Sequence, residues 1–284
     1  MRDFTLLEPK SAQEASRMLT DCGDEARLFA GGTALMLAMR QRLVTPSHIV
    51  YLGGVPGLDS IEFRQNGLRI GALVTHAQVA DSPVVKKHYP VLADMAAHVA
   101  NPQVRNQGTV AGNLCYADPA TDPPGCLMAL GASVRVTGPG GERDLALDEF
   151  FTDYYTTALE PGEVVIAIEV PRLPEDVSAR YTRFLRTAAE HRPLVNVAVA
   201  VRRKGGQCRE ARIAIGASVP VPGRARRAEQ FLEGKTIGRD AAAEAAAIAA
   251  DEIEPVSDFR GSAEYRREMV RVVARRTLEA AFAP

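Results

Sequence analysis

The sequence predicts a chain of mixed strands and helices in two parts, with an antiparallel sheet in the second part. A proline- and acid-bearing connector at Leu173–Asp176 indicates a boundary between residues 1–174 and 175–284. After the connector, three strand-like runs follow one another and two helices close the chain, a pattern typical of an antiparallel sheet. A length of 284 residues is enough for two domains with a buried core.

In the first part, short strands alternate with helices and glycine turns. Ser11 and Glu14 form a capping-box pattern that starts a helix near Ala12, and Gly23 ends it. A buried strand at 27–30 then leads through Gly31-Gly32-Thr33 into a helix that opens at Ala34. The pattern predicts further strands at 47–52, 68–75, 132–137, 142–145 and 163–170, and helices at 84–100 and 124–130.

In the second part, the strands are expected at 179–186, 194–202 and 209–218, and the helices at 240–252 and 263–282. The last helix carries five arginines that form either a solvated face or a docking surface for a partner, namely Arg266, Arg267, Arg271, Arg275 and Arg276.

The segment Asn101–Pro124 is predicted to be a long ordered loop, because Asn, Pro, Gly, Asp and Thr dominate it and favour turns. Long ordered loops in compact domains are usually functional. Its centre, Gly108–Asn113, combines small residues with a hydroxyl and an amide. Small residues let a ligand approach the backbone, whose free N–H groups bind anionic oxygens.

The two glycine segments together predict a diphosphate that is held from two sides. Gly31-Gly32-Thr33 joins a strand to a helix N-terminus, which is a common anion site. Asp122 follows the second segment and suits either the hydroxyls of a ribose or the N-cap of a helix. Neither segment matches G-x-G-x-x-G or a P-loop, so the expected ligand is a dinucleotide that is bound in another way. His76 is interpreted as a capping or turn histidine.

Composition excludes several other classes of protein. The net charge of −1 argues against a nucleic-acid binder, and no segment is apolar enough for a membrane span or a signal peptide. The cysteines at 22, 115, 126 and 208 form no C-x-x-C pair, so no metal or iron–sulfur site is expected on this chain. We expect a cytoplasmic protein, and no catalytic acid, base or nucleophile is evident.

Three segments resemble one known family. AGGTALM at 30–36, PQVRNQGTVAGNLCYADPATDPP at 102–124 and DFRGSAEYRREMV at 258–270 are similar to the FAD-binding medium subunit of molybdenum hydroxylases. This family includes the flavoproteins of carbon monoxide, nicotine and xanthine-type dehydrogenases, and the resemblance covers nearly the whole chain. It implies an α+β fold with a two-part, PCMH-like FAD-binding domain, followed by a C-terminal antiparallel sheet with helices.

The resemblance also implies the cofactor site. The two loops would hold the FAD pyrophosphate, Asp122 would lie on the adenosine side, and Val165 and Arg183 would lie near the flavin. The implied FAD-binding residues are Phe29, Ala30, Gly31, Gly32, Thr33, Ala34, Leu35, Met36, Thr109, Val110, Ala111, Gly112, Asn113, Asp122, Val165 and Arg183. The chain departs from the family pattern at Ala34, where Asp or Ser is usual, and at Ala111, where glycine is usual. The methyl of Ala111 is tolerable only at negative φ.

By the same resemblance, the chain is the electron-transfer subunit of an oxidoreductase and does not act on substrate alone. Its partners would be a large subunit with a molybdenum–pterin site and a small subunit with 2Fe-2S iron–sulfur clusters. The expected complex is a dimer of heterotrimers, that is, a heterohexamer, which passes electrons to an external acceptor. Two alternatives stay open: a stand-alone flavin oxidase, and a scaffold subunit without flavin.

Overall fold

The first part of the chain begins with a three-stranded parallel sheet. The structure, a computed structural model, describes residues 2–283. The strands have the order β1-β3-β2, and two helices occupy the connections. Ser11 caps the first helix by accepting a hydrogen bond from the Glu14 N–H at 3.1 Å, as the sequence predicts. The bounds are β1 Thr5–Leu7, α1 Ala12–Cys22, β2 Ala26–Phe29, α2 Thr33–Arg40 and β3 His48–Tyr51.

A five-stranded antiparallel sheet completes the first part. Its order is β4-β5-β10-β6-β7, so the strand nearest the end of this part lies in the middle. Ile168 at the centre of the sheet pairs with Ile70 on one side and Val134 on the other, and all three are fully buried. The bounds are β4 Ile61–Arg64, β5 Gly67–Gly71, β6 Ser133–Gly138, β7 Gly141–Ala146, α9 Leu147–Phe150, β8 Phe151–Asp153, β9 Thr156–Thr157 and β10 Val164–Pro171.

Six short helices connect β5 to β6, where the sequence predicted fewer. The helix expected at 84–100 is two helices, because Pro90 cannot continue the first and Tyr89 adopts an extended φ of −140° before it. The loop expected at Asn101–Pro124 is also wrong in part: it holds two helices with N-caps Asn101 and Thr109. The bounds are α3 His76–Asp81, α4 Pro83–His88, α5 Pro90–Ala97, α6 Pro102–Gln107, α7 Val110–Tyr116 and α8 Pro123–Ala129.

The second part is a four-stranded antiparallel sheet backed by helices, as predicted. The order is β11-β12-β13-β14. Alanines on one face of the second helix of this part are fully buried, at the 3–4-residue spacing of a packed helical face. The bounds are β11 Val177–Phe184, β12 Val195–Lys204, β13 Gln207–Gly216, β14 Gly223–Arg224, α10 Arg226–Leu232, α11 Arg239–Glu252 and α12 Ala263–Phe282.

The two parts share a hydrophobic core. Helix α8 packs against β12 and β13, and Ala198 and Ala214 of those strands join the core of the first part. The C-terminal sheet therefore covers the segment that leads into α8. Within residues 2–283, none of the helices combines the length and apolar character needed to cross a membrane. The α+β class and the C-terminal antiparallel sheet are thus confirmed.

The arginine surface expected on the last helix is wrong for Arg266. This side chain is fully buried, donates to the Ala217 carbonyl at 2.9 Å and pairs with Asp258 at 2.6 Å. Arg267 is half-buried and donates to the Ala250 carbonyl at 2.8 Å. Arg271 and Arg275 pair with acidic side chains of this chain. Arg266 and Arg267 therefore stabilise the fold, whereas Arg271 and Arg275 form surface ion pairs and Arg276 is exposed.

Candidate functional site

A cavity of about 320 Å³ lies where the two glycine segments meet. Twelve of the sixteen residues predicted for FAD line it, which brings together positions from three distant stretches of sequence. The twelve are Ala30, Gly31, Gly32, Thr33, Ala34, Leu35, Thr109, Ala111, Gly112, Asn113, Asp122 and Val165. The other four, Phe29, Met36, Val110 and Arg183, lie outside the lining.

The two glycine segments touch through their backbones. A Cβ atom on Gly31 would lie 2.2 Å from the carbonyl oxygen of Gln107 and 2.9 Å from the Cα of Gly108. Such distances are impossible for a real side chain, so glycine is required at this approach. On the other side, His76 N–H donates to the Gly108 carbonyl at 3.1 Å and Val110 N–H to that of Val74 at 3.1 Å. The second segment is thereby fixed against the chain that follows β5.

The first segment presents the N-terminus of α2 to the cavity. Gly32 is the N-cap and adopts φ +67°, a left-handed conformation that favours glycine. Because Gly32 has no side chain to cap the helix, the first N–H groups of α2 are available to an anion. The ring of Phe29 packs against Gly32, since a Cβ there would lie 2.2 Å from the ring. Phe29 thus supports the turn without lining the cavity.

The second segment begins with a helix cap. Thr109 Oγ1 accepts a hydrogen bond from the Gly112 N–H at 3.0 Å, while the side chain of Val110 turns into the hydrophobic core. Ala111 lies within α7 and is not among the residues with positive φ. Its methyl group therefore carries no backbone strain, although the family pattern favours glycine there. Asn113 Oδ1 is buried with no hydrogen-bond partner and lines the cavity.

Asp122 occupies the N-cap position of α8 but does not cap the helix. Its carboxylate instead accepts a hydrogen bond from Tyr181 Oη at 2.5 Å and lies 3.5 Å from Arg183 Nη1. Burial raises the pKa of Asp122 to about 6, while the Arg183 charge and the Tyr181 hydrogen bond act in the opposite direction. Two roles were considered for Asp122, and the structure shows that its side chain does not form the N-cap hydrogen bond.

Arg183 and Asp122 lie at the same end of the cavity. The resemblance assigned one to the flavin and the other to the adenosine, but their side chains are 3.5 Å apart. Arg183 also donates to the backbone carbonyls of His98 and His191, and its Nε has no partner. The two residues therefore lie side by side, although only Asp122 lines the cavity. Val165 lines the cavity from β10.

Several lining residues were missed at the sequence level. His76 begins α3 after a complete Thr75–Gln78 capping box, which agrees with its predicted turn position. However, it also lines the cavity, and burial, with a smaller effect of the Arg105 charge, lowers its pKa to about 4. His191 and Arg192 reach the cavity from the β11–β12 loop, and no local sequence signal marks them. The remaining lining comes from Arg27, Leu28, Leu52, Ala72, Val99, Ala100, Val104, Gly108, Cys115, Tyr116, Ala120 and Thr121.

The residues present fit a dinucleotide cofactor. The close glycine contact and the uncapped N-terminus of α2 provide a place for a diphosphate. The unpartnered Asn113 oxygen can accept a hydrogen bond from a hydroxyl of the attached sugar groups. In residues 2–283, no cluster of three or more His, Cys, Asp or Glu side chains is arranged to hold a metal ion.

Two family models and several known proteins match this chain over nearly its whole length. The family of the FAD binding domain in molybdopterin dehydrogenase matches residues 2–173, and the CO dehydrogenase flavoprotein C-terminal domain matches residues 180–281. The nicotine 6-hydroxylase medium subunit of Paenarthrobacter nicotinovorans is 35% identical over 270 residues, covering 95% of this chain and 94% of that protein. The carbon monoxide dehydrogenase medium chain of Afipia carboxidovorans is 34% identical over 280 residues, covering 99% and 97%.

Solved structures show the same fold. The cyanide-inactivated form of Cu,Mo-CO dehydrogenase contains a chain with a TM-score of 0.94 and 34% identity, covering 99% of this chain and 98% of that one. Quinoline 2-oxidoreductase from Pseudomonas putida 86 contains one with a TM-score of 0.91 and 35% identity, covering 98% and 96%.

The fold and the cavity thus define an FAD-binding flavoprotein of the oxidoreductases. The chain belongs to the family of FAD-binding medium subunits of molybdenum hydroxylases, which confirms the resemblance seen in its sequence.

Proposed function

We propose that the chain is the FAD-binding electron-transfer subunit of a molybdenum hydroxylase complex. The observation that carries this proposal is the backbone contact between Gly31 and Gln107, which forms one cavity from two glycine segments. The diphosphate of FAD would lie between them, at the N-terminus of α2. When bound, FAD supplies an isoalloxazine ring that takes up and releases electrons in one- or two-electron steps.

The roles of individual residues follow from what each offers. Thr33 and Leu35 contribute helix N–H groups, while Gly32 and Gly112 leave room for the cofactor. Asn113 offers a buried amide oxygen as an acceptor for a hydroxyl. The complete proposed set is the sixteen residues predicted from the sequence, with Phe29, Met36, Val110 and Arg183 acting from behind the lining.

Asp122 is proposed to accept hydrogen bonds from cofactor hydroxyls, on the adenosine side. The support is its burial at the cavity and the absence of an N-cap role. If that assignment is right, the contact between Asp122 and Arg183 puts Arg183 on the adenosine side as well. Comparison of FAD with FMN, which lacks the adenosine half, tests this directly.

The proposed electron route involves two partner subunits. Electrons would leave a molybdenum–pterin site on a large subunit, cross 2Fe-2S clusters on a small subunit and reach the FAD of this chain. They would then pass to an external acceptor. The names of the relatives, medium subunit and medium chain, support a complex with larger and smaller chains. We propose a dimer of heterotrimers.

The proposed division of the chain is an FAD-binding domain at 1–174 and a C-terminal domain at 175–284. The separate family matches to 2–173 and 180–281 support it. The proposed location is the cytoplasm. In support, none of the four cysteines is paired in a disulfide bond.

Reconstitution with FAD tests the proposed cofactor. The purified chain should bind FAD noncovalently and absorb at about 370 and about 450 nm, as flavins do. Acid denaturation should release the flavin, because no covalent bond holds it. Colourless protein that cannot be reconstituted with FAD would contradict the proposal and favour a scaffold subunit without flavin.

A further inference from the structure

Three side chains of the C-terminal sheet contact one wall of the cavity from outside its lining. Tyr181 and Arg183 are two residues apart on β11 and therefore point to the same face of the sheet. Asn196 on β12 pairs directly with Arg183 in the strand register. All three contact the short segment Thr121–Asp122, both of whose residues line the cavity.

The contacts are specific hydrogen bonds. Tyr181 Oη donates to Asp122 Oδ1 at 2.5 Å, and Asn196 Nδ2 donates to the Thr121 carbonyl at 2.8 Å. Arg183 Nη1 lies 3.5 Å from Asp122 Oδ2. Because Asp122 makes no capping bond to α8, these side chains set its position.

The packing around Asn196 leaves it little freedom. Asn196 is fully buried, and a Cβ on Gly216 would lie 2.7 Å from its Oδ1, while one on Gly125 would lie 3.1 Å away. The side chain therefore occupies a slot between α8 and β13 that only glycines leave open. Such a buried, constrained donor holds its acceptor in one place.

We infer that Tyr181 and Asn196 are positioning residues for the cofactor, which fix Thr121–Asp122 so that the Asp122 carboxylate faces the FAD cavity. This inference rests on the proposed function. A carboxylate oxygen has two lone pairs, so Oδ1 accepts from Tyr181 and keeps capacity for a hydroxyl of the cofactor. The C-terminal sheet is then part of the cofactor site, although the sixteen residues predicted from the sequence include only one from that sheet.

The positioning role has a consequence for pH dependence. Four ionisable groups face Asp122: Tyr181 and Arg183 on β11, Cys126 on α8, and His98 after α5. Burial raises the pKa of Asp122 to about 6, and the Tyr181 hydrogen bond opposes that rise. Protonation removes the charge of the carboxylate and turns one of its oxygens into a donor, so FAD affinity should fall as pH decreases through this pKa. Removal of the Tyr181 hydroxyl should move the midpoint to higher pH.

The test is a titration of the full-length apoprotein with FAD from pH 5 to pH 8. Tyr181→Phe removes only the hydroxyl and should weaken FAD about tenfold at pH 7, with the midpoint of the pH profile shifted upward. Tyr265→Phe is the matched control, because that tyrosine is 44% exposed on α12, away from the cavity lining. Its affinity and pH profile should equal those of the wild type.

A double-mutant cycle separates positioning from general stability. Asp122→Ala should remove the fall in FAD affinity at about pH 6, and Tyr181→Phe should then cost little more, because the acceptor of its hydroxyl is gone. The same tenfold loss in both backgrounds, or an unshifted midpoint in Tyr181→Phe, would overturn the inference. Wild-type protein that binds no FAD at any pH would instead refute the proposed function.

Discussion

Gly31→Ala is the change that tests the joined glycine segments most severely. The added methyl would lie 2.2 Å from the Gln107 carbonyl oxygen and 2.9 Å from the Gly108 Cα, against an ordinary contact of about 3.4–4 Å. Both neighbours are backbone atoms, so the two segments must move apart by about 1 Å. Such overpacking costs about 1–3 kcal/mol. If the diphosphate binds between the segments, the same separation lowers the affinity for FAD by about 5- to 150-fold.

The assay is FAD titration by flavin fluorescence, together with thermal unfolding of the FAD-free protein. Gly140→Ala is the matched control, because a methyl there meets no atom within 4 Å and the residue lacks positive φ. The control should bind FAD like the wild type. A Gly31→Ala protein that keeps wild-type FAD affinity would refute the reasoning that joins the two segments into one site.

Three further substitutions have defined outcomes. Asp122→Ala should weaken the binding of FAD by about 1.5–3 kcal/mol and the binding of FMN much less, as measured by parallel titrations; equal weakening of the binding of both flavins would refute the adenosine-side assignment. Thr109→Val removes the cap on α7 and should lower the free energy of unfolding by about 1 kcal/mol in denaturant titration; unchanged stability would show that the cap contributes nothing. Arg42→Gly should raise the melting temperature, because the exposed Arg42 follows α2 at φ +59°, where glycine relieves about 1 kcal/mol of strain; a lower melting temperature would contradict this.

Much of the fold was predictable because its signals are local. The Ser11 N-cap, the alternating strands and the charged last helix act within a few residues. The segment 101–124 was harder, because turn-forming residues also serve as helix caps. Asn101 and Thr109 each cap a helix of only six or seven residues, too short for a periodic pattern to reveal.

The glycines of the site could be predicted from the sequence, but the contacts between residues far apart in the sequence could not. Gly31 and Gly108 carried a signal, because close backbone approach restricts both positions to glycine. By contrast, Tyr181 reaches Asp122 across 59 residues of sequence, and Arg266 is buried although its neighbours on the helix are charged. Such contacts depend on how the C-terminal sheet packs against α8, which no local pattern reports.

Stopped-flow reduction of the flavin is the measurement that tests the electron-transfer role most directly. The chain would be prepared alone and in complex with large and small subunits, each form loaded with FAD and mixed with the organic substrate of the complex. The flavin absorbance should bleach in the assembled complex and stay unchanged in the isolated chain, because in the proposed route electrons reach this FAD only through the partners. Bleaching of the isolated chain by the substrate would contradict the account and favour a stand-alone flavin oxidase.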